Sequence, residues 1–175
     1  CADVNDIEYR AVSLDEKFQI KAEQLLAATD ENTKVIWICS PNDPSGNNIK
    51  REEVAKVIKS FEGIVVVDEA YSDFSTQKTF RSELHNHPNL IVLNTLSKAW
   101  GCAAIPLGVA FASKEVIDIF NNVKFPYNVN TFTQQKAMEM LHHPYQVFDW
   151  VKMIIQSREI MMESFKALPV CIRVF

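Results

Sequence analysis

One lysine, Lys98, stands in the segment Asn94-Thr95-Leu96-Ser97-Lys98-Ala99-Trp100-Gly101, among hydroxyls and apolar side chains. An amine in such surroundings is expected to have a lowered pKa and to serve as a nucleophile. Thirty positions earlier, Asp68 follows Ile64-Val65-Val66-Val67 and precedes Glu69-Ala70-Tyr71. A carboxylate at the end of an apolar strand is desolvated and needs a cation or several donors to stay ionised. Earlier still, Ser40-Pro41-Asn42-Asp43-Pro44-Ser45-Gly46-Asn47 puts two prolines, a glycine and polar groups directly after another apolar run. Taken singly, these are a snorkelling lysine, a strand-end cap and a rigid turn. Taken in order, they supply a turn, an acid and an amine at successive strand ends, which is where open parallel sheets hold their ligands.

The elements that must position these groups follow from periodicity. Short apolar runs alternate with amphipathic stretches, the α/β signature. Strands are expected at Ile7–Val12, Lys34–Cys39, Ile64–Val67, Leu90–Leu93 and Val109–Ala112, and helices at Lys21–Ala28, Arg51–Phe61 and Glu115–Asn122. Asn48 is a candidate cap for the Arg51 helix, whose apolar face is Val54, Val57, Ile58 and Phe61, and Gly63 is its expected stop. The Lys34 and Ile64 runs read as buried strands, the latter apolar on both faces as a central parallel strand must be. After Pro126, helices are expected over Thr131–Leu141 and Tyr145–Ala167, the second with Val147, Trp150, Val151, Ile154 and Ile155 on one stripe. Pro169 would stop it, and 170–175 would begin another strand. This gives a mostly parallel sheet flanked by helices, incomplete at both ends, with residues 1–143 as one domain portion and 144–175 as a long connecting helix entering a second.

Composition narrows the function classes. The 175 residues carry net charge -4, with 47% hydrophobic and 23% charged residues, which excludes disorder, collagen and a disulfide scaffold. No basic run offers a footprint for nucleic acid or an anionic membrane, so small molecules or proteins are the expected partners. Apolar runs such as Ile64–Val67 are too short to span a bilayer. Cys1, Cys39, Cys102 and Cys171 lack CxxC spacing and read as buried free thiols in a reducing, cytoplasmic setting. His85, His87, His142 and His143 read as solvated rather than metal-binding, with no partner at ligand spacing. Trp37, Trp100, Phe111, Phe120, Phe148 and Trp150 fall on apolar runs and read as core. There are only 4 glycines, about 2% where roughly 7% is usual. No glycine-rich cradle is present, so a bound phosphate would fall to hydroxyls such as Thr95 and Ser97. The start at Cys1, without a leader pattern, reads as a cut from a longer protein.

An amine that can form a Schiff base, preceded by an acid that can keep a pyridine nitrogen protonated, is the set that pyridoxal phosphate needs. On Ser40–Asn47, Val67–Phe74 and Thr95–Ala112, in order and at matching spacing, with Lys124–Asn130 beyond them, the whole chain resembles the aspartate-aminotransferase-like, fold-type I family of pyridoxal phosphate enzymes. The resemblance implies that Lys98 is the Schiff-base lysine and the proton carrier, Asp68 the partner of the pyridinium nitrogen, and Tyr71 a hydrogen-bond donor to the ring oxygen. Thr95 and Ser97 would bind the phosphate, and Asp43 would lie beside the ring oxygen. It further implies a ping-pong transamination between a small-molecule amino donor and a 2-oxo acid acceptor, by a cytoplasmic homodimer, with histidinol phosphate and 2-oxoglutarate as the expected pair. A phospho-amino-acid decarboxylase shares the motifs, and a catalytically silent α/β domain is a third reading. Two positions depart from the family pattern. Asp43 replaces an asparagine, and Pro106, eight residues after Lys98, replaces a phosphate-binding arginine. That loss is expected to cost roughly 1.5–3 kcal/mol of cofactor binding, leaving this chain alone a weak binder that turns over little.

Overall fold

The computed structural model describes residues 2–105 and 107–171. Four strands, β1 (Val35–Cys39), β2 (Ile64–Asp68), β3 (Leu90–Thr95) and β4 (Gly108–Phe111), form one sheet in the order β1-β2-β3-β4. The first three are parallel and β4 runs antiparallel to β3. The helices are α1 (Ala22–Ala27), α2 (Arg51–Ser60), α3 (Lys114–Val123), α4 (Thr131–His142) and α5 (Pro144–Lys166).

Strand alternation builds the core. Ile36 and Ile38, Val65 and Val67, and Leu90 and Val92 point to one side of the sheet and join Val54, Val57 and Ile58 of α2 in a single cluster. Each such side chain taken fully out of water contributes about 1.5–3 kcal/mol. Val66 and Ile91 are buried on the other face as well, the pattern expected of central parallel strands. A smaller cluster joins Leu96 and Cys102 to Ala137 of α4, with Trp100, Ile105, Leu107 and Met140 packed against it.

Several sequence expectations are corrected. Residues 7–12 are irregular rather than a strand, with Ile7 and Tyr9 exposed. β1 is not buried on both faces, since Val35 and Trp37 (59%) are exposed opposite Ile36 and Ile38. Asn48 does not cap α2, because Lys50 holds the N-cap position without a side-chain bond and the Asn48 amide oxygen accepts from Ser75 Oγ. Helix α2 ends at Ser60, before Gly63, and the value of Gly63 is space: a Cβ there would stand 2.6 Å from the Lys34 carbonyl and from the Phe61 ring. Of the expected aromatic core, Trp37, Phe120, Phe148 and Trp150 are exposed. On α5 only Val147 of the expected stripe is fully buried, and Ile154 is exposed. The helix stops at Lys166, ahead of Pro169. Pro106, Cys1 and most of the strand expected over 170–175 lie outside the described residues. Cys39, Cys102 and Cys171 are free thiols, of which only Cys102 is buried.

Candidate active site

The parallel register sets Cys39, Asp68 and Leu93 side by side, so the three carboxyl-end loops open at one edge. Asp68 is the last residue of β2, half-buried, with its carbonyl accepting from Ser40 N at 2.9 Å and its Oδ1 accepting from Ala70 N at 3.1 Å. The chain then turns at once. Ser72 N donates to Glu69 O and Phe74 N to Tyr71 O, so Asp68 and Tyr71 belong to a single tight bend. Asn94, near the end of β3, donates from Nδ2 to Ser72 Oγ at 3.1 Å and pins that bend to the neighbouring strand.

The first loop is cross-linked by backbone and side-chain hydrogen bonds. Asn42 N donates to Asn47 O at 2.9 Å, Gly46 N to Asn42 O at 2.7 Å and Asn47 Nδ2 to Phe18 O at 2.9 Å. Gly46 sits at φ +73°, where a side chain would be strained. The Ser40-Pro41 and Asp43-Pro44 peptide bonds are cis. From this loop Asp43 projects, exposed, and its Oδ2 accepts from the Tyr71 hydroxyl at 2.9 Å.

Lys98 rides on the turn between β3 and β4. Gly101, at φ +65°, donates to Lys98 O, and Cys102 N donates to Leu96 O, both at 2.9 Å. The buried Leu96 and Cys102 anchor this turn on α4. The side chain of Lys98 is exposed, with Nζ 4.8 Å from the centroid of the Tyr71 ring. Its pKa is raised, first by hydrogen bonding to and attraction from the Tyr71 phenol and then by the charge of Asp43. The expected lowered pKa is therefore corrected. The apolar neighbours of Lys98 in sequence are not the groups around its ammonium in space.

Thr95 Oγ1 donates to Leu107 O at 3.3 Å and accepts from Ser97 N at 3.1 Å, so its hydroxyl proton is engaged inside the turn, and Ser97 is half-buried beside it. The structure thus gathers Asp43, Tyr71 and Lys98, puts Asp68 at the base of the Tyr71 bend, and sets Thr95 and Ser97 in the turn that carries Lys98. A cleft of about 410 Å³ opens beside Asp43 and Tyr71, with Asn48, Phe74, Ile154 and Arg158 among its walls. Arg158 Nη1 donates to Phe74 O at 3.3 Å.

Three supporting residues escaped the sequence reading. Glu69, 3% exposed, accepts from the Thr79 hydroxyl and, at 2.7 Å, from Phe80 N. Strand alternation was the available signal, since Glu69 follows Asp68 and must face the other way. Asp73 is half-buried, and burial pushes its carboxyl up while the Arg81 charge and a hydrogen bond from Trp100 pull it down. Asn94, which pins the Tyr71 bend to β3, is the third.

The α/β sheet thus presents an amine, a phenol and carboxylates at its carboxyl edge. The family model described as aminotransferase class I and II matches residues 1–172, and the chain belongs to that family. It is 53% identical over all 175 residues to a histidinol-phosphate aminotransferase of Bacteroides thetaiotaomicron and 55% identical to one of Bacteroides fragilis, covering 51% of each. The chain therefore spans about half the length of the curated relatives it matches. Among solved structures, the histidinol-phosphate aminotransferase of Clostridium acetobutylicum superposes with TM-score 0.89 at 22% identity, over 98% of this chain and 53% of that one. That of Sinorhizobium meliloti, in complex with pyridoxal-5'-phosphate, gives 0.83 at 20%, over 93% and 45%. L-threonine-O-3-phosphate decarboxylase of Porphyromonas gingivalis gives 0.71 at 21%, over 84% and 46%. These likenesses show the fold.

Proposed function

We propose that this chain is the cofactor-bearing portion of a pyridoxal phosphate-dependent aminotransferase acting on histidinol phosphate and 2-oxoglutarate in histidine biosynthesis. The observation that carries the reading is the convergence of Lys98 on Tyr71, with Asp68 closing the strand that leads into the same bend. The donor set fits the group: a primary amine for its aldehyde, a phenol for its ring oxygen and a strand-end carboxylate for its ring nitrogen. When bound, pyridoxal phosphate supplies an electron sink for negative charge developing at a substrate α-carbon.

The residues of the chain have separate tasks. Lys98 would hold the cofactor covalently and, once released, carry a proton on Nζ to and from the substrate. Asp68, with Oδ1 engaged by Ala70 N, would use its carboxylate to keep the ring nitrogen charged. Tyr71 would orient the ring through its hydroxyl, and Ser97 with Thr95 would face the phosphate, Thr95 by giving up its 3.3 Å bond to Leu107 O. Asp43 would contribute negative charge beside the ring oxygen. Residues 1–143 would form the cofactor-binding portion, and 144–175 the connection to a second domain. The proposed setting is a cytoplasmic homodimer. Exposed apolar side chains such as Phe125 and Tyr127 support pairing. No helix among the described residues is long and apolar enough to cross a membrane.

Histidinol phosphate follows the names of the relatives at 53% and 55% identity, and 2-oxoglutarate is proposed as its acceptor. Incubation with pyridoxal phosphate, borohydride reduction and peptide mapping test the cofactor assignment. The adduct is expected on Lys98 and is lost in Lys98→Ala, whereas scattered labelling refutes it. Glutamate formed from 2-oxoglutarate with histidinol phosphate then supports transamination, and carbon dioxide release from a phospho-amino acid would replace it with decarboxylation.

A further inference from the structure

The register that sets Cys39, Asp68 and Leu93 side by side brings Ser40, Glu69 and Asn94 next in line, one polar residue per parallel strand. Alternation turns this row away from the Asp68 side and toward the face on which α2 packs. Ser40 Oγ accepts from Ile49 N at 3.0 Å and Glu69 from Phe80 N at 2.7 Å, and both Ile49 and Phe80 belong to the cluster that includes α2. Each of these two side chains secures one connection, the loop after β1 or the segment after β2. Asn94 secures two. Its Oδ1 accepts from Thr95 N at 2.6 Å, at the root of the turn that carries Lys98, and its Nδ2 donates to Ser72 Oγ at 3.1 Å, in the bend that carries Tyr71. Because a backbone N–H can only donate, the amide oxygen must face Thr95, and this orients the amide nitrogen on Ser72. Thr95 Oγ1 in turn accepts from Ser97 N at 3.1 Å, so the bonds run on to the residue before Lys98.

Across this bridge Lys98 Nζ stands 4.8 Å from the centroid of the Tyr71 ring. The lysine side chain is long and exposed, so its place over the ring depends on where its turn is rooted relative to the bend. We propose that Asn94 is a positioning residue for the site: one side chain joins the Tyr71 bend to the Lys98 turn and sets the distance between phenol and amine. Asn94→Leu would keep the shape without either bond, and Ser72→Ala would remove only the bond that crosses between the two segments. The bearing of this spacing on cofactor capture rests on the proposed reading of Lys98 as the cofactor lysine.

NMR of the full chain carrying isotope-labelled lysine reads this spacing without any cofactor. Protons held over an aromatic face are shifted upfield by the ring current. The ε-methylene signal of Lys98, identified by its loss in Lys98→Arg, is therefore expected upfield of the other lysines and is expected to rejoin them in Tyr71→Leu. In Asn94→Leu and in Ser72→Ala the displacement is expected to shrink to about half, since a hydrogen bond of ordinary strength shifts a population roughly fivefold. Ser72→Thr, which keeps a hydroxyl for Nδ2, should retain it. Ser40→Ala removes a buried bond from the same row without touching the bridge, and should leave the Lys98 signal in place. Full displacement in a folded Asn94→Leu or Ser72→Ala protein overturns the proposal, and Ser72→Ala decides alone if Asn94→Leu does not fold. An equal loss in Ser40→Ala overturns it too, by making the row a matter of general stability, as does a wild-type Lys98 signal that lies among the other lysines. The yield of borohydride-trapped pyridoxyl adduct on Lys98 at limiting pyridoxal phosphate should fall in the same variants. A wild-type protein that forms no such adduct refutes the proposed function and leaves the spacing result readable.

Discussion

Replacing Glu69 by alanine is expected to destabilise the protein by about 2–4 kcal/mol, because two donors are aimed at a carboxylate only 3% exposed. Phe80 N, which donates to Oε1 at 2.7 Å, is buried. With its acceptor gone it bears the full cost of an unmet buried donor, about 1–3 kcal/mol. The Thr79 hydroxyl is half-buried and can rotate to water, so its loss is closer to about 1 kcal/mol. The freed rotamer entropy of a Glu side chain returns part of this, on the order of 1 kcal/mol, and the cavity left behind adds a similar amount. Glu69→Gln keeps the shape and one acceptor oxygen and should cost about half as much. In urea, with a slope of about 1–3 kcal/mol per molar, the alanine variant should unfold roughly 1–2 M earlier. The Phe80 amide should also exchange faster with solvent in the native state. A midpoint within about 0.3 M of wild type, with an unchanged slope, would refute the reasoning and show that water reaches these donors.

Two further expectations concern helix starts and acid. The Asn130 side chain caps α4 by accepting from Thr133 N at 2.8 Å, whereas Ser113 caps α3 at 3.5 Å. Asn130→Ala should therefore cost about 1 kcal/mol in chemical denaturation and Ser113→Ala clearly less, and equal losses would contradict the geometry. Asp30, on the surface, is held down to about 2 by its bond from Arg10 and then by Thr33, against an ordinary value of 3.8. Its folded value lies below its unfolded one, so its contribution is present above about pH 4 and lost as pH falls toward 2. The stability difference between wild type and Asp30→Asn, measured by urea unfolding over that range, should shrink to nothing at the acid end. A difference that stays constant with pH would assign the effect to packing.

The parts of the fold legible in the sequence are those set by local pattern. The run Ile64–Val67 has no polar alternative, so β2 was plain, and with it the position of Asp68 at a strand end. The Val54, Val57 and Ile58 spacing likewise fixed the buried face of α2. What stayed hidden depends on which groups meet across the chain. Asp43 and Tyr71 are 28 positions apart, and nothing in either segment announces their bond. The surroundings of Lys98 are hidden for the same reason, since its sequence neighbours Leu96 and Ala99 are buried under the turn while its ammonium faces a phenol from another loop. The apolar residues of β1 and α5 read as core because sequence pattern reports a capacity for burial, and burial also requires a covering element. Trp37 and Phe148 have the capacity without the cover.

The two sides of the cleft are therefore held by unequal means. Asp43 stands on a loop cross-linked within itself and to Phe18, and Tyr71 on a bend tied to β3 through Asn94 and Ser72. Lys98 sits on a turn anchored by buried Leu96 and Cys102. The opposing wall comes from α5, where Arg158 meets Phe74 O by one exposed 3.3 Å hydrogen bond. Such a bond to a neutral carbonyl contributes about 0.5–1.5 kcal/mol, and ordering an arginine side chain costs up to about 2 kcal/mol. That contact cannot by itself fix the wall, and α5 buries only Val147 to help it. The relative placement of amine, phenol and carboxylates is accordingly a property of the strand ends and their turns. α5 contributes Ile154 and Arg158 to the cleft wall, so substitutions there test how that wall is held, whereas Asp43, Asp68, Tyr71 and Lys98 are placed by the strand ends and their turns.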